Sequence, residues 1–194
     1  MAHGPRIAVL EWADKTINLY DRISKLADLE VLVGVPEEKS ERKAGNINNA
    51  QIAFVQSHGS PMQGIPARPF IEPAIEDSEN KAAINSPLER AASLALDGDL
   101  QGTRQALKEA GVIARNAVQG WFVNPKNGWP PLSPSTIEAR ARKKFKISKY
   151  KLAKTKAKYR GLLAQYIETG IFNPLIDTGQ LRGSINYVVR NKGD

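Results

Sequence analysis

Side chains able to do acid–base or nucleophilic chemistry at neutral pH are scarce in this chain. It has no cysteine, which excludes disulfides, thiolate metal sites and thiol nucleophiles. Of its two histidines, His3 lies near the start and His58 stands beside Gly59 at the end of a helical pattern, where a cation complements the helix dipole. A serine triad needs a base and an orienting acid held near the nucleophile. No G-x-S-x-G, P-loop or dinucleotide-type glycine motif occurs. The acidic pairs Glu37/Glu38 and Glu76/Asp77 fall in a charged loop and on a helix surface, with no partner motif to set them in a cleft. Hard-cation loops need several oxygen ligands at short spacing, and that pattern is missing. The reading is therefore not an enzyme, with no cofactor and no metal.

Two stretches are suited to binding instead. Arg140, Arg142, Lys143, Lys144, Lys146, Lys149, Lys151, Lys154, Lys156, Lys158 and Arg160 place eleven cations in a segment with no Asp or Glu between Glu138 and Glu168. Without them the formal net charge of +8 becomes −3, so a mildly acidic body carries one strongly basic segment. Phe145, Ile147, Tyr150, Leu152 and Tyr159 are interleaved with the cations. A partner supplying phosphates or carboxylates relieves their mutual repulsion, and several phosphate contacts make affinity steeply salt-dependent. The alternative is a solvated helix or a flexible arm. The second stretch is the proline-bounded aromatic loop from Trp121-Phe122 to Trp129-Pro130-Pro131. Each such aromatic ring offers about 150–250 Å² to bury. These rings either pack on the protein's own core or anchor a neighbouring subunit.

The elements that position these stretches follow from periodicity. Arg6 to Trp12 is apolar, either a short strand or a lead-in to the next helix. Asp14 then suits an N-cap, and Ile17, Tyr20, Ile23, Leu26 and Ala27 recur at helical spacing over 15–27. Alternation from Leu29 to Val35, closed by Pro36, predicts a β-strand. After a charged loop, Asn48 or Asn49 caps a short helix with Ala50, Ala53, Phe54 and Ser57 on one face, ended by Gly59 and Pro61. Ile65 to Phe70 is extended by its two prolines. Helical patterns cover 70–83, 87–96 with Pro87 at its first turn, and 100–122 with Leu107, Ala110, Ile113, Ala114, Ala117 and Trp121 on one face. Ser135 or Thr136 begins a polar helix that runs into the basic segment, and 184–190 reads as a second strand. The fold class is α+β: a small, mostly antiparallel sheet with helices packed on it, plus a basic helical or extended insertion.

A length of 194 residues fits a single domain, 1–194, with the basic insertion 139–172 inside it, and buries a core without staples. No run approaches the roughly 18–20 apolar residues of a membrane span, and no export signal is recognisable. The expectation is a soluble chain with no membrane partner.

Four stretches carry a resemblance. They are Val31-Leu32-Val33-Gly34-Val35-Pro36; Asn49 to Gly59; Ile65-Pro66-Ala67-Arg68-Pro69-Phe70-Ile71; and Pro131 to Ile137 followed by Pro174-Leu175-Ile176-Asp177-Thr178-Gly179-Gln180-Leu181 and on to Ile185. In this order they resemble the tail-completion, or neck, family of long-tailed bacteriophages, also labelled virion-morphogenesis proteins, over most of the chain after Leu29. The resemblance implies a structural α+β subunit that forms a ring, often sixfold, at the head–tail junction of the virion after assembly in the host cytoplasm. Its partners would be connector, tail-tube or tail-terminator proteins, with possible contact to packaged DNA. Candidate interface residues are Arg68, Pro69 and Phe70, and Trp121, Phe122, Trp129, Pro130, Pro131 and Leu132 of the aromatic loop. Asp177, Thr178 and Gly179 form a structural turn, with Asp177 bonding to backbone. The chain departs from the family pattern at Ser57-His58, where an acid is usual, and in the insertion, which separates segments that usually adjoin. The competing function is a nucleic-acid-binding accessory protein acting through 140–160.

Overall fold

The computed structural model describes residues 6–41, 47–144, 161 and 173–193, with backbone only over 6–15. These residues form seven α-helices and a two-stranded antiparallel sheet, the α+β class that the periodicities predict. The chain divides into two compact units: Met1–Pro36, Ile71–Gln119 and Ile185–Asp194 make the first, Glu37–Phe70 and Gly120–Ser184 the second.

The first unit holds α1 (Arg6–Ala27), β1 (Leu29–Gly34), α3 (Glu72–Glu76), α4 (Ser78–Asp97), α5 (Leu100–Trp121) as far as Gln119, and β2 (Asn186–Asn191). β1 pairs with β2 from Leu29↔Asn191 to Gly34↔Asn186. Alternation puts Leu29, Val31 and Val189 on one face, packed against Ala91, Leu94, Ala106 and Leu107 of α4 and α5. On the other face Glu30 and Arg190 form a cross-strand ion pair at 2.7 Å. Small residues allow close approach: the Gly111 Cα faces the Tyr187 ring so tightly that a Cβ would sit 2.7 Å from its Cγ. Polar ties complete the unit. Arg22 donates to the Leu96 carbonyl at 2.6 Å, Arg90 pairs with Glu109, and Gln119 donates to the Ile185 carbonyl at 3.0 Å.

The second unit holds α2 (Asn49–His58), α6 (Pro134–Lys144), α7 (Gln180–Ser184) and three 3₁₀ turns, at Glu37–Lys39, Pro61–Gln63 and Pro125–Asn127. Asn48 caps α2 through a reciprocal box with Gln51: Gln51 N–H donates to Asn48 Oδ1 at 2.8 Å, and Asn48 N–H to Gln51 Oε1 at 3.0 Å, which satisfies two orphan donors. Gly59 ends α2 at φ 76°. Its missing Cβ matters, because one would lie 2.8 Å from the Ala67 nitrogen. α2 packs on α7.

Several expectations change. α1 begins at Arg6, so the apolar run is helical and Asp14 is internal to the helix instead of capping it. No Gly or Pro interrupts 6–27, so nothing breaks the helix there. Among the described side chains, the apolar stripe of α1 is largely open: Ile17 and Tyr20 are 67% and 72% exposed and Ile23 is exposed too, with Leu26 half-buried. Phe54 also faces out, while its neighbour Ala53 is buried. The expected helix 70–83 is broken at Asp77 into α3 and the start of α4, and Pro87 lies buried inside α4, which runs on from Ser78 through the second expected segment. Proline removes one backbone donor, and the continuous helix tolerates that loss. β2 begins at Asn186, because Gln180–Ser184 is the short helix α7.

Candidate functional site

The second unit brings three of the singled-out segments together, and buried arginine does it. Arg68 follows the extended, proline-flanked run from Ile65, whose backbone is held when Arg68 N–H donates to the Gln56 carbonyl at 2.7 Å. Its side chain is only 5% exposed. Nε and Nη2 donate to the Pro130 carbonyl at 3.2 and 2.9 Å, and Nη2 also to the Pro131 carbonyl at 3.2 Å. Burial, and then the nearby guanidinium of Arg140, lower the Arg68 pKa from the usual arginine range.

Arg140 is a second brace. Ser133 starts α6 by accepting from Thr136 N–H at 3.3 Å, with Ile137 N–H donating to the Ser133 carbonyl at 3.0 Å. Ala141 is buried one turn on and Arg140 is itself half-buried. Arg140 Nη1 donates to the Asn173 and Ile176 carbonyls at 3.1 and 3.0 Å, and Nη2 to that of Pro174 at 2.8 Å. Lys143, one turn away, pairs with Asp177 at 2.8 Å. Turn geometry at this end includes Gly179 at φ 76° and Gly183 N–H donating to the Gly179 carbonyl at 2.8 Å.

The aromatic loop packs on its own unit. Phe70 and Phe122 are fully buried with ring centroids 5.0 Å apart, and Trp129 meets Phe122 edge-on at 5.9 Å. Trp129 Nε1 donates to the Pro69 carbonyl at 2.9 Å. Trp121 is buried, with its Nε1 lacking a hydrogen-bond partner among the described residues. Of the residues expected at a partner surface, Arg68, Phe70, Trp121 and Phe122 are thus spent on internal packing. Pro69, Pro130 and Pro131 remain exposed, with Trp129 and Leu132 half-buried.

Of the basic run, Arg140, Arg142, Lys143 and Lys144 are described. Arg142 lies 3.9 Å from Glu138, and Lys144 is exposed. Lys146, Lys149, Lys151, Lys154, Lys156, Lys158 and Arg160 lie outside the described residues. Asp177 and Thr178 are exposed.

Sequence reasoning grouped Arg140 with the DNA-binding cations and missed its bracing role. The only available signal was its place beside the Ile137–Ala141 helical spacing. Also missed was a cleft of about 770 Å³ lined by Arg68, Arg140, Ser133, Thr136, His58 and several prolines. His58 ends α2 as expected, stacked on Phe54 at 4.3 Å. Among the described residues no group of acidic or histidine side chains is arranged to hold a metal, and no helix is long and apolar enough to cross a membrane. No protein-family model matches the chain, and neither does any curated protein or solved structure.

Proposed function

We propose that this chain is a non-enzymatic structural protein of a tailed-bacteriophage virion, a tail-completion or neck subunit that works at the head–tail junction. Its work is geometry: it forms a ring, six subunits being the first expectation, and contacts connector, tail-tube or tail-terminator proteins. One observation carries the reading. Stretches that bear the resemblance but lie far apart in sequence are cross-braced by two arginines. Arg68, in the third stretch, holds the Pro131 carbonyl that opens the fourth. Arg140 holds the Pro174 and Ile176 carbonyls of the last. Side chains spent on backbone carbonyls build a rigid presenting surface, which is what a subunit in a repeating ring requires. Chemistry has little to work with there, because no Asp or Glu lines the large cleft, and paired acid catalysis needs one or two.

Electron microscopy of a lysate from phage lacking the gene tests the reading. It predicts DNA-filled heads beside separate, finished tails. Joined, infectious particles would overturn it. Native mass measurement of the purified chain with its connector-side neighbours should give a closed oligomer, and a chain that stays monomeric in their presence would count against the ring.

A further inference from the structure

The cleft beside Arg68 has a composition that bracing alone does not explain. It measures about 770 Å³ and is lined by two guanidinium groups without a single carboxylate. Buried cations are ordinarily paired with anions. Here both arginines instead lean on neutral carbonyls, and they sit close enough that Arg140 disfavours the charge on Arg68. Arg68 Nη1 has no partner among the described residues, yet it does not belong to the fully buried unsatisfied atoms, so solvent reaches it. Ser133 and Thr136, hydrogen-bonded to each other at 2.8 Å at the start of α6, add polar groups at a helix end that favours negative charge. Gln56 and His58 also line it, and the remaining wall is apolar and proline-rich, including Ile65, Pro66 and Leu132.

We propose that this cleft docks an extended acidic segment of a partner protein, with one Asp or Glu carboxylate seated between Arg68 and Arg140. The Arg68 Nη1 amino group, the part of that guanidinium not spent on Pro130 and Pro131, suits a charge-assisted hydrogen bond to a carboxylate oxygen. That charge also offsets the repulsion between the two arginines. Neighbouring residues of an extended peptide lie against the proline wall, and alternate side chains read the pockets. Duplex DNA fits less well. Its phosphates ride on a stiff rod, whereas this volume is that of a small-ligand pocket and its deeper arginine is almost wholly buried. The inference stands on the second unit's own residues and goes beyond the virion reading, which does not require it.

The test follows the arginine Nε–H resonances of the full chain by NMR while adding the peptide acetyl-Pro-Glu-Pro-Glu-amide. Acetyl-Pro-Gln-Pro-Gln-amide is the neutral control. The expected result is saturable shifts at Arg68 and Arg140 with the acidic peptide and none with the neutral one. Thr136→Glu places a carboxylate in the cleft and should weaken binding about tenfold. Thr136→Gln, of similar size without the charge, should bind several-fold more tightly than Thr136→Glu, and its spectrum shows that the site still folds. Equal shifts with both peptides, or undiminished affinity in Thr136→Glu, would overturn the proposal. So would shifts confined to other arginines, which would locate binding in the basic run. Tighter binding of a short DNA duplex at the same two resonances would make phosphate the occupant, and shifts produced by concentrating the chain alone would make it a second copy. Either outcome refutes the assignment.

Discussion

Replacing Arg68 with methionine removes the guanidinium while keeping much of the buried volume. Three N–H···O contacts to the Pro130 and Pro131 carbonyls disappear. Bonds from a charged donor are each worth about 1.5–3 kcal/mol, so simple addition would suggest about 5–9 kcal/mol. Two effects reduce that sum. Pro130 and Pro131 are exposed, so water replaces part of the lost bonding. Methionine also ends the desolvation of the charge and its repulsion by Arg140, a relief that often offsets much of a buried charge's favourable interactions. We expect Arg68→Met to cost about 2–3 kcal/mol. Arg68→Lys, whose single ammonium reaches one carbonyl, should cost about half as much. Urea unfolding followed by the fluorescence of Trp121 and Trp129 measures both, supported by amide exchange in the second unit in case the two units unfold separately. A methionine variant within about 0.5 kcal/mol of the parent would refute the brace. The pH dependence is a second check. Folding lowers this pKa, so the unfolded chain holds the proton more tightly at high pH. Stability then rises with pH only near the arginine range, while at lower pH the penalty on the charged form is constant. The difference between parent and Arg68→Met should therefore be flat from about pH 5 to 9, and a slope there would assign the effect to another group.

Gly59→Ala combines a left-handed φ with a Cβ 2.8 Å from the Ala67 backbone and should cost more than about 2 kcal/mol, read by thermal unfolding; a neutral result would mean the 59–67 corner is pliable. Gly111→Ala gains about 1 kcal/mol of helix propensity but drives a methyl group into the Tyr187 ring, a net loss of about 1–2 kcal/mol. Adding Tyr187→Ala should abolish that penalty in a double-mutant cycle. Asp177→Asn removes an ion pair whose partners are 46% and 64% exposed, so its loss through the pair should stay below about 1 kcal/mol and shrink in high salt. A larger, salt-insensitive loss would mean that the carboxylate also holds the turn through backbone bonds, as the Asp-Thr-Gly sequence suggests.

Local rules made much of the architecture legible. Strand alternation at Leu29–Val35, the Asn48 cap and the Gly59 stop are set by side chains within a few residues, so the sequence places β1 and α2 nearly where they occur. The α5 face of Leu107, Ala110 and Ala114 is likewise visible as periodicity, and it is buried. Where local signals are silent, the sequence left a choice open or pointed to the wrong surroundings. A short apolar run at 7–12 satisfies either strand or helix, and only the continuous backbone of α1 selects the latter. The stripe at Ile17, Tyr20 and Ile23 obeys helical spacing but is exposed, because periodicity says which residues share a face and not what covers it. The sequence singled out the tryptophan loop by its composition, and the Arg68 corner and the Asp-Thr-Gly turn by resemblance. It could not tell internal packing from a partner surface, a choice that depends on contacts across sixty or more positions. Arg140 makes the same point within one helix. In sequence it is one cation among eleven. Only the tertiary fold, by placing three backbone carbonyls within reach of its fork, separates it from the lysines around it.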